Sequence, residues 1–157
     1  MLETGSPVPD IALEDTDGRA VRLSDFQGNH AVLIYFMRST SCAVCNRHVH
    51  DLIRRRNEFA ADDVQVLVAV PEDRQEAAAW KAKRQVPFPV LVGRRGTPHE
   101  MIGLSRKVFG SLQQSGSILI DSRGVIRHAH GATMPTSGYD KKGITAAVQG
   151  LRTRKGT

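Results

Sequence analysis

Apolar positions in this chain follow two patterns that alternate along its length. Ala31 to Phe36, Val64 to Val70, Val90 to Val92 and Ser117 to Asp121 are short apolar runs rich in β-branched residues. Such runs suit strands buried on both faces. From Cys42 or Ala43 to about Ala60, Val44, His48, Val49, Leu52, Ile53, Arg56 and Phe59 recur at helical spacing, which predicts one long helix. Glu72 to Gln85, with Ala77, Ala78 and Ala79, predicts a second helix that Pro87-Phe88-Pro89 ends. Tyr139 to Leu151 predicts a closing helix.

Turn residues supply the rest. Gly5 to Ile11 reads as an extended entry. Asp15 to Arg19 turns between Ile11, Leu13 and Val21, Leu23, which predicts a β-hairpin. Ser24 to Gly28 predicts a single helical turn. Ser122-Arg123-Gly124 turns into a return strand, Val125 to His130. Gly93 to Gly103 reads as a loop, and Leu104 to Phe109 as a short helix closed by Gly110. Strands alternating with helices define an α/β fold, a central mixed sheet with helices on both faces. The expected organisation is one domain over residues 1–151 and a flexible basic tail over residues 152–157.

The 157 residues, 40% hydrophobic and 24% charged, suit a single globular domain. The net charge of +6 raises a nucleic-acid reading. The excess is scattered, however, with its densest clusters at Arg54-Arg55-Arg56 and at Arg152, Arg154 and Lys155. Aromatics make up only 5% of the chain, too few for a base-stacking platform, so no nucleic-acid partner is expected. The apolar run Ala31 to Met37 is too short to span a bilayer, so no membrane partner is expected. Met1 to Gly5 shows no basic segment leading into an apolar run, which makes a cytoplasmic location the expectation.

The candidate chemistry lies in the only two cysteines, Cys42 and Cys45. A bridge between them closes almost no loop and adds little stability, so the pair suits chemistry better. Cys42 falls where a strand has ended and a helix begins. The first turn of a helix carries unsatisfied N–H groups and about half a positive charge, which stabilises a thiolate. Cys45 lies about one turn further on. The expected roles are an exposed nucleophile for Cys42 and an inner, disulfide-closing thiol for Cys45, with Arg38 and Arg47 adding positive charge. Cys42, Cys45, His48 and His50 also spell a metal-like spacing. His50, though, points around the helix from Cys42, so an ion would need His99, His128 or His130 from elsewhere. His128 and His130 alternate on the return strand and share a face, and Trp80 reads as a packing anchor.

With this unit placed, the chain resembles the alkyl hydroperoxide reductase/thiol-specific antioxidant family, the peroxiredoxin-like redoxins. The resemblance rests on Gly5-Ser6-Pro7-Val8-Pro9-Asp10-Ile11, Asp17-Gly18, Leu23 to Gly28, Val32 to Cys45, Phe88-Pro89-Val90-Leu91 and Ile118 to Ile126. It implies a thioredoxin-like fold with an N-terminal β-hairpin and no bound cofactor. It also implies hydroperoxide reduction through a Cys42 sulfenate resolved by Cys45. Ser39 stands at the family's motif threonine, Tyr35 at its motif proline, Ala43 at the proline after the first cysteine and Ser115 at its late arginine. Arg38 is then the expected substitute cation, and Ser39 the hydroxyl that bonds the thiolate or the peroxide. The resemblance brings a thioredoxin-like or low-molecular-weight thiol as reductant and leaves a homodimer open. Two further readings use the same residues: disulfide exchange with a protein substrate, and a redox-sensing or copper- or zinc-binding protein.

Overall fold

The structure is a computed structural model that describes every residue except 1, 2, 27, 29, 95, 105, 108–111, 133–138, 156 and 157. β1 (Ala12–Glu14) and β2 (Ala20–Arg22) form the expected hairpin, with Leu13 opposite Val21. A 3-10 turn, Leu23–Phe26, leads to β3 (Ala31–Phe36). Then follow α1 (Ala43–Arg54), α2 (Arg56–Ala61), β4 (Val64–Ala69), α3 (Arg74–Arg84) and β5 (Val90–Gly93). The last third holds α4 (Pro98–Met101), β6 (Arg106–Lys107), β7 (Leu112–Gln113), β8 (Ser115–Ile120), β9 (Ile126–Ala132) and α5 (Lys141–Lys155).

Among the described residues, seven strands form one mixed sheet in the order β2-β1-β5-β4-β3-β8-β9. β3, β4 and β5 run parallel, and β8 lies antiparallel to β3 on its other side. The connections β3–α1–α2–β4 and β4–α3–β5 step the same way across the sheet. Right-handed crossovers therefore place their helices on one face, and α4, on the return towards β8, on the other. Side-chain alternation divides the core accordingly. Leu33, Tyr35, Val66, Val68 and Leu119 pack with Val49, Leu52, Trp80, Ile144 and Val148 from the helices. Ile34, Phe36, Leu67, Ile118 and Ile120 pack with Ile11, Leu13, Leu23 and Ile102. The helices do flank both faces, but the long ones share a single face.

Four expectations change. The long helix breaks at Arg55, whose N–H reaches both Asp51 O and Ile53 O. The break lets Phe59 bury itself and sends the Arg55 guanidinium to Tyr139 and Thr145. The loop before β8 contains α4, started by Thr97, whose hydroxyl accepts the Glu100 N–H at 3.1 Å, and by Pro98 at the first helical position. Where a short helix over Leu104 to Phe109 is expected, Arg106–Lys107 is a strand paired with Leu112–Gln113; Val108, Phe109 and Gly110 lie outside the described residues. The pairing of Arg106 with Gln113 and of Lys107 with Leu112 overrides a weak helical pattern. The closing helix continues through Lys155, past the expected end at Leu151.

Asp121 holds the β8–β9 connection, around Gly124 at φ 82°. Its Oδ1 accepts the N–H groups of Arg123 (2.9 Å) and Val125 (3.0 Å), and its Oδ2 accepts Arg127 Nε (2.7 Å). Burial raises the pKa of this carboxyl, but the bonds from Val125, Arg127 and Arg123 outweigh it and hold the group below the usual carboxylate value. Its stabilisation is therefore complete above the unfolded value of about 4 and fades as pH falls through the lower folded one. Asp121→Ala is expected to lower unfolding free energy by about 2 kcal/mol at pH 7. Urea titrations should show the gap to wild type narrowing below about pH 4.

Candidate active site

The site sits where β3 runs out. The Met37 N–H still bonds Ala69 O at 3.0 Å, so the sheet fixes the point from which the next loop departs. That loop is held at three places. The Thr40 N–H donates to Glu72 Oε2 at 3.0 Å. The Asn46 amide donates to the carbonyls of Thr40 and Cys42, each at 2.9 Å. Asn46 Oδ1 in turn accepts Trp80 Nε1 at 2.8 Å, which ties the loop to α3. Trp80 is thus both the expected packing anchor and a hydrogen-bond donor to the site.

Cys42 is the N-cap of α1, with extended backbone (φ −71°, ψ 115°), and its Sγ accepts the Cys45 N–H at 3.3 Å. A side chain in this place satisfies an otherwise orphaned helix donor. The same geometry turns the sulfur inward. Cys42 is 8% exposed and Cys45 0%, so the expected exposed nucleophile is a nearly covered one. The two thiols meet, and the Cys45 thiol hydrogen-bonds the Cys42 sulfur. Burial first, and then that bond, push the Cys45 thiol up to about 11. The Arg38 N–H, at 3.4 Å from Cys45 Sγ, and the Tyr35 hydroxyl act in the opposite direction. Cys45 therefore keeps its proton at neutral pH, and the Cys42 sulfur faces two donors, an N–H and an S–H.

Beneath the thiols lies a polar layer that the sequence does not announce. The Tyr35 hydroxyl and His48 Nδ1 are 2.8 Å apart. The two rings meet edge-on with centroids 5.7 Å apart, and the Tyr139 ring packs 5.0 Å from His48. The Tyr139 hydroxyl donates to Asp51 Oδ2 at 2.8 Å and accepts Arg55 Nη1 at 3.0 Å. The available signals were the three-residue spacing of Cys45 and His48 on one helix and a tyrosine on the helix-facing side of β3.

The other candidates divide. Arg38 is half-buried and meets the Cys45 sulfur through its backbone N–H; among the described residues its guanidinium has no hydrogen-bond partner. Ser39 accepts the Cys42 N–H on its carbonyl at 3.3 Å, but its hydroxyl pairs with Ser41 Oγ at 3.1 Å and not with a sulfur. Ser115 is fully buried, one step beyond the Gly116–Phe36 pair, so no cation occupies that place. Arg47 and His50 are exposed and line an open groove of about 500 Å³ with Arg54 and Arg84, starting at Ala43. His99 Nε2 bonds Met37 O at 2.6 Å, and His128 lies 3.6 Å from Asp140. Among the described residues, no three His, Cys, Asp or Glu side chains are arranged to hold a metal ion.

A mixed sheet that delivers a cysteine to the mouth of a helix, with its mate one turn below, defines a thioredoxin-like thiol protein. Solved structures bear out the fold. Peroxidoxin BcpB from Mycobacterium tuberculosis superposes with a TM-score of 0.79 over 98% of both chains at 19% identity. Reduced Prx3 from Vibrio vulnificus, solved with hydrogen peroxide, gives 0.79 over 94% of this chain and 99% of that one at 16% identity. The AhpC/TSA family model matches residues 4–129, and the chain belongs to that family. Among curated relatives, peroxiredoxin Q from Oryza sativa subsp. japonica is 26% identical over 82% of this chain and 59% of its own length. Alkyl hydroperoxide reductase E from Mycobacterium tuberculosis is 26% identical over 82% of this chain and 85% of its own. This chain thus spans under two thirds of the rice relative's length.

Brief treatment of the reduced protein with iodoacetamide at neutral pH is expected to give a singly modified product carrying the label on Cys42. Peptide mass spectrometry should find Cys45 labelled only as the pH approaches its value of about 11.

Proposed function

We propose that the protein is a thiol-dependent peroxidase that reduces hydroperoxides. The observation that carries this reading is the Cys42 sulfur, capped by the Cys45 N–H and in contact with the Cys45 thiol, in a chain of the AhpC/TSA family. Relatives named peroxiredoxin and alkyl hydroperoxide reductase support it. The Cys42 thiolate attacks the terminal oxygen of the hydroperoxide. A sulfur–oxygen bond forms, the oxygen–oxygen bond breaks, and the departing alkoxide or hydroxide takes up a proton. Cys42 is left as sulfenic acid. Cys45 then attacks the Cys42 sulfur; a disulfide forms and water leaves. A thioredoxin-type or small thiol restores both cysteines by exchange. Arg38, whose backbone N–H meets the Cys45 sulfur and whose guanidinium has no partner among the described residues, is the cation assigned to stabilise charge on the departing oxygen. Ser39 serves through its carbonyl, which holds the Cys42 N–H.

A second reading, disulfide exchange with a protein substrate, draws on the same pair, because a C-x-x-C thiol one turn from its partner resolves mixed disulfides equally well. Turnover of insulin disulfides without peroxide consumption would favour it.

Rapid mixing of reduced protein with hydrogen peroxide, followed through Trp80 fluorescence, decides between them. Trp80 is one hydrogen bond from Asn46, which itself bonds the Cys42 carbonyl. Wild type is expected to react far faster than a free thiolate, and Cys42→Ser not at all; a rate no faster than a free thiolate rejects the peroxidase. Arg38→Ala is expected to slow sulfenate formation about 100-fold while leaving disulfide reduction nearly unchanged.

A further inference from the structure

We propose that Tyr35 and His48 form the proton route that ionises Cys45 when it attacks the Cys42 sulfenate. The inference deepens the peroxidase reading and rests on it. Resolution needs a thiolate on Cys45, yet that thiol is 0% exposed and holds its proton to about pH 11. Solvent hydroxide has no direct access to it. The Tyr35 hydroxyl touches the Cys45 sulfur and stands 2.8 Å from His48 Nδ1. Tyr35 is itself only 1% exposed, and burial holds its hydroxyl protonated, so it passes a proton on without ionising. His48 is half-buried and reaches towards solvent.

In the step, the Tyr35 hydroxyl, which in the reduced site lends its proton to the Cys45 sulfur, turns that proton to His48 Nδ1, and the Cys45 proton moves to the Tyr35 oxygen as the Tyr35 proton moves to the ring. The Cys45 sulfur attacks the Cys42 sulfur, the sulfur–sulfur bond forms and the sulfur–oxygen bond breaks. The departing hydroxide takes a proton from solvent, and the His48 imidazolium returns one. The sum is thiol plus sulfenic acid giving disulfide plus water.

The surroundings suit His48 as acceptor. Burial, followed by Arg47 on the same helix, lowers its pKa below the ordinary 6.5, and Asp51 opposes this. Tyr35 faces the ring from β3, and Tyr139 from the segment before α5. The Tyr139 hydroxyl is occupied by Asp51 and Arg55, so it does not compete for Nδ1. His48 is neutral at pH 7, with Nδ1 free to accept. The route closes as pH falls through the lowered value and His48 becomes charged. Both positions act through Cys45, which makes them positioning residues for resolution.

The test is the pH profile of disulfide formation after a single hydrogen peroxide turnover, with the sulfenate trapped by dimedone and counted by mass spectrometry. Wild type should resolve at a rate that is level between about pH 7 and 9 and falls about tenfold per unit on the acid side. Tyr35→Phe keeps the ring and removes the hydroxyl. His48→Asn keeps a polar atom near the Nδ1 position but does not titrate. Each should slow resolution about 100-fold at pH 7, accumulate trapped sulfenate, and show a rate that climbs without a plateau towards the pKa of Cys45. A packing defect alone would lower the rate evenly and keep the plateau, and that result overturns the route. A wild-type rate climbing steadily from pH 7 to 9 also overturns it. Wild type that forms no sulfenate sinks both the route and the peroxidase reading, whereas sulfenate resolved without a plateau sinks the route alone.

Discussion

The contact on which the site depends is the bond from the Cys45 N–H to Cys42 Sγ. It joins three requirements in one atom. The helix needs an acceptor at its first turn, the proposed nucleophile needs a donor, and the second sulfur must stay within bridging distance. The sheet sets up this contact. β3 pairs with β4 from Ala31–Val64 to Phe36–Ala69, and the Met37 N–H adds one more bond before the chain leaves the sheet. The loop then has only five residues in which to reach the helix start. Glu72 and the Asn46–Trp80 pair remove the freedom that remains. The cap survives because its surroundings leave the loop few alternatives.

A second constraint follows from burying sulfur and oxygen together. Tyr35 lies on a strand whose six residues are all buried, and an unpaired hydroxyl there would cost about 1–3 kcal/mol. His48 and Cys45 meet that demand from α1. The β-sheet register extends the polar row, since Tyr35 stands opposite Ser117 and Ser117 opposite His130. The helix-facing side of the sheet is thus apolar towards β4 and polar towards β9. The proton route and the hydrophobic core share one surface and divide it at β3.

How much of this is legible in the sequence depends on range. The strand–cysteine–helix unit, the first hairpin and the β8–β9 turn rest on local patterns, and all three stand in the structure. The break at Arg55 does not show, because its reason lies in Tyr139 and Thr145, 84 and 90 residues away. A tyrosine inside an apolar run reads as core, and a histidine three residues after a cysteine reads as a ligand. Their 2.8 Å contact exists only once β3 and α1 are packed. The exposure of Cys42 is equally non-local, since the spacing places it at a helix start while the cap turns its sulfur inward. α4 does have a local signal, because Thr97-Pro98-His99-Glu100 carries a capping pattern inside the otherwise loop-like span from Gly93 to Gly103.

In the proposed cycle, the same asymmetry between the sulfurs also governs the return to the reduced state. With both cysteines reduced, Cys42 is 8% exposed and Cys45 0%, so on this reading a thiol attacking the disulfide reaches Cys42 and not Cys45. Cys45 is then the leaving sulfur, and a leaving thiolate whose pKa is near 11 departs slowly unless it is protonated as it goes. Tyr35 and His48 stand where that proton is needed, and running their exchange backwards supplies it. Burial of the second cysteine, which makes resolution depend on an internal acceptor, thus makes reduction depend on the same pair as donor. A proton route that serves one half-reaction serves the other, and the high pKa of Cys45 becomes compatible with turnover in both directions.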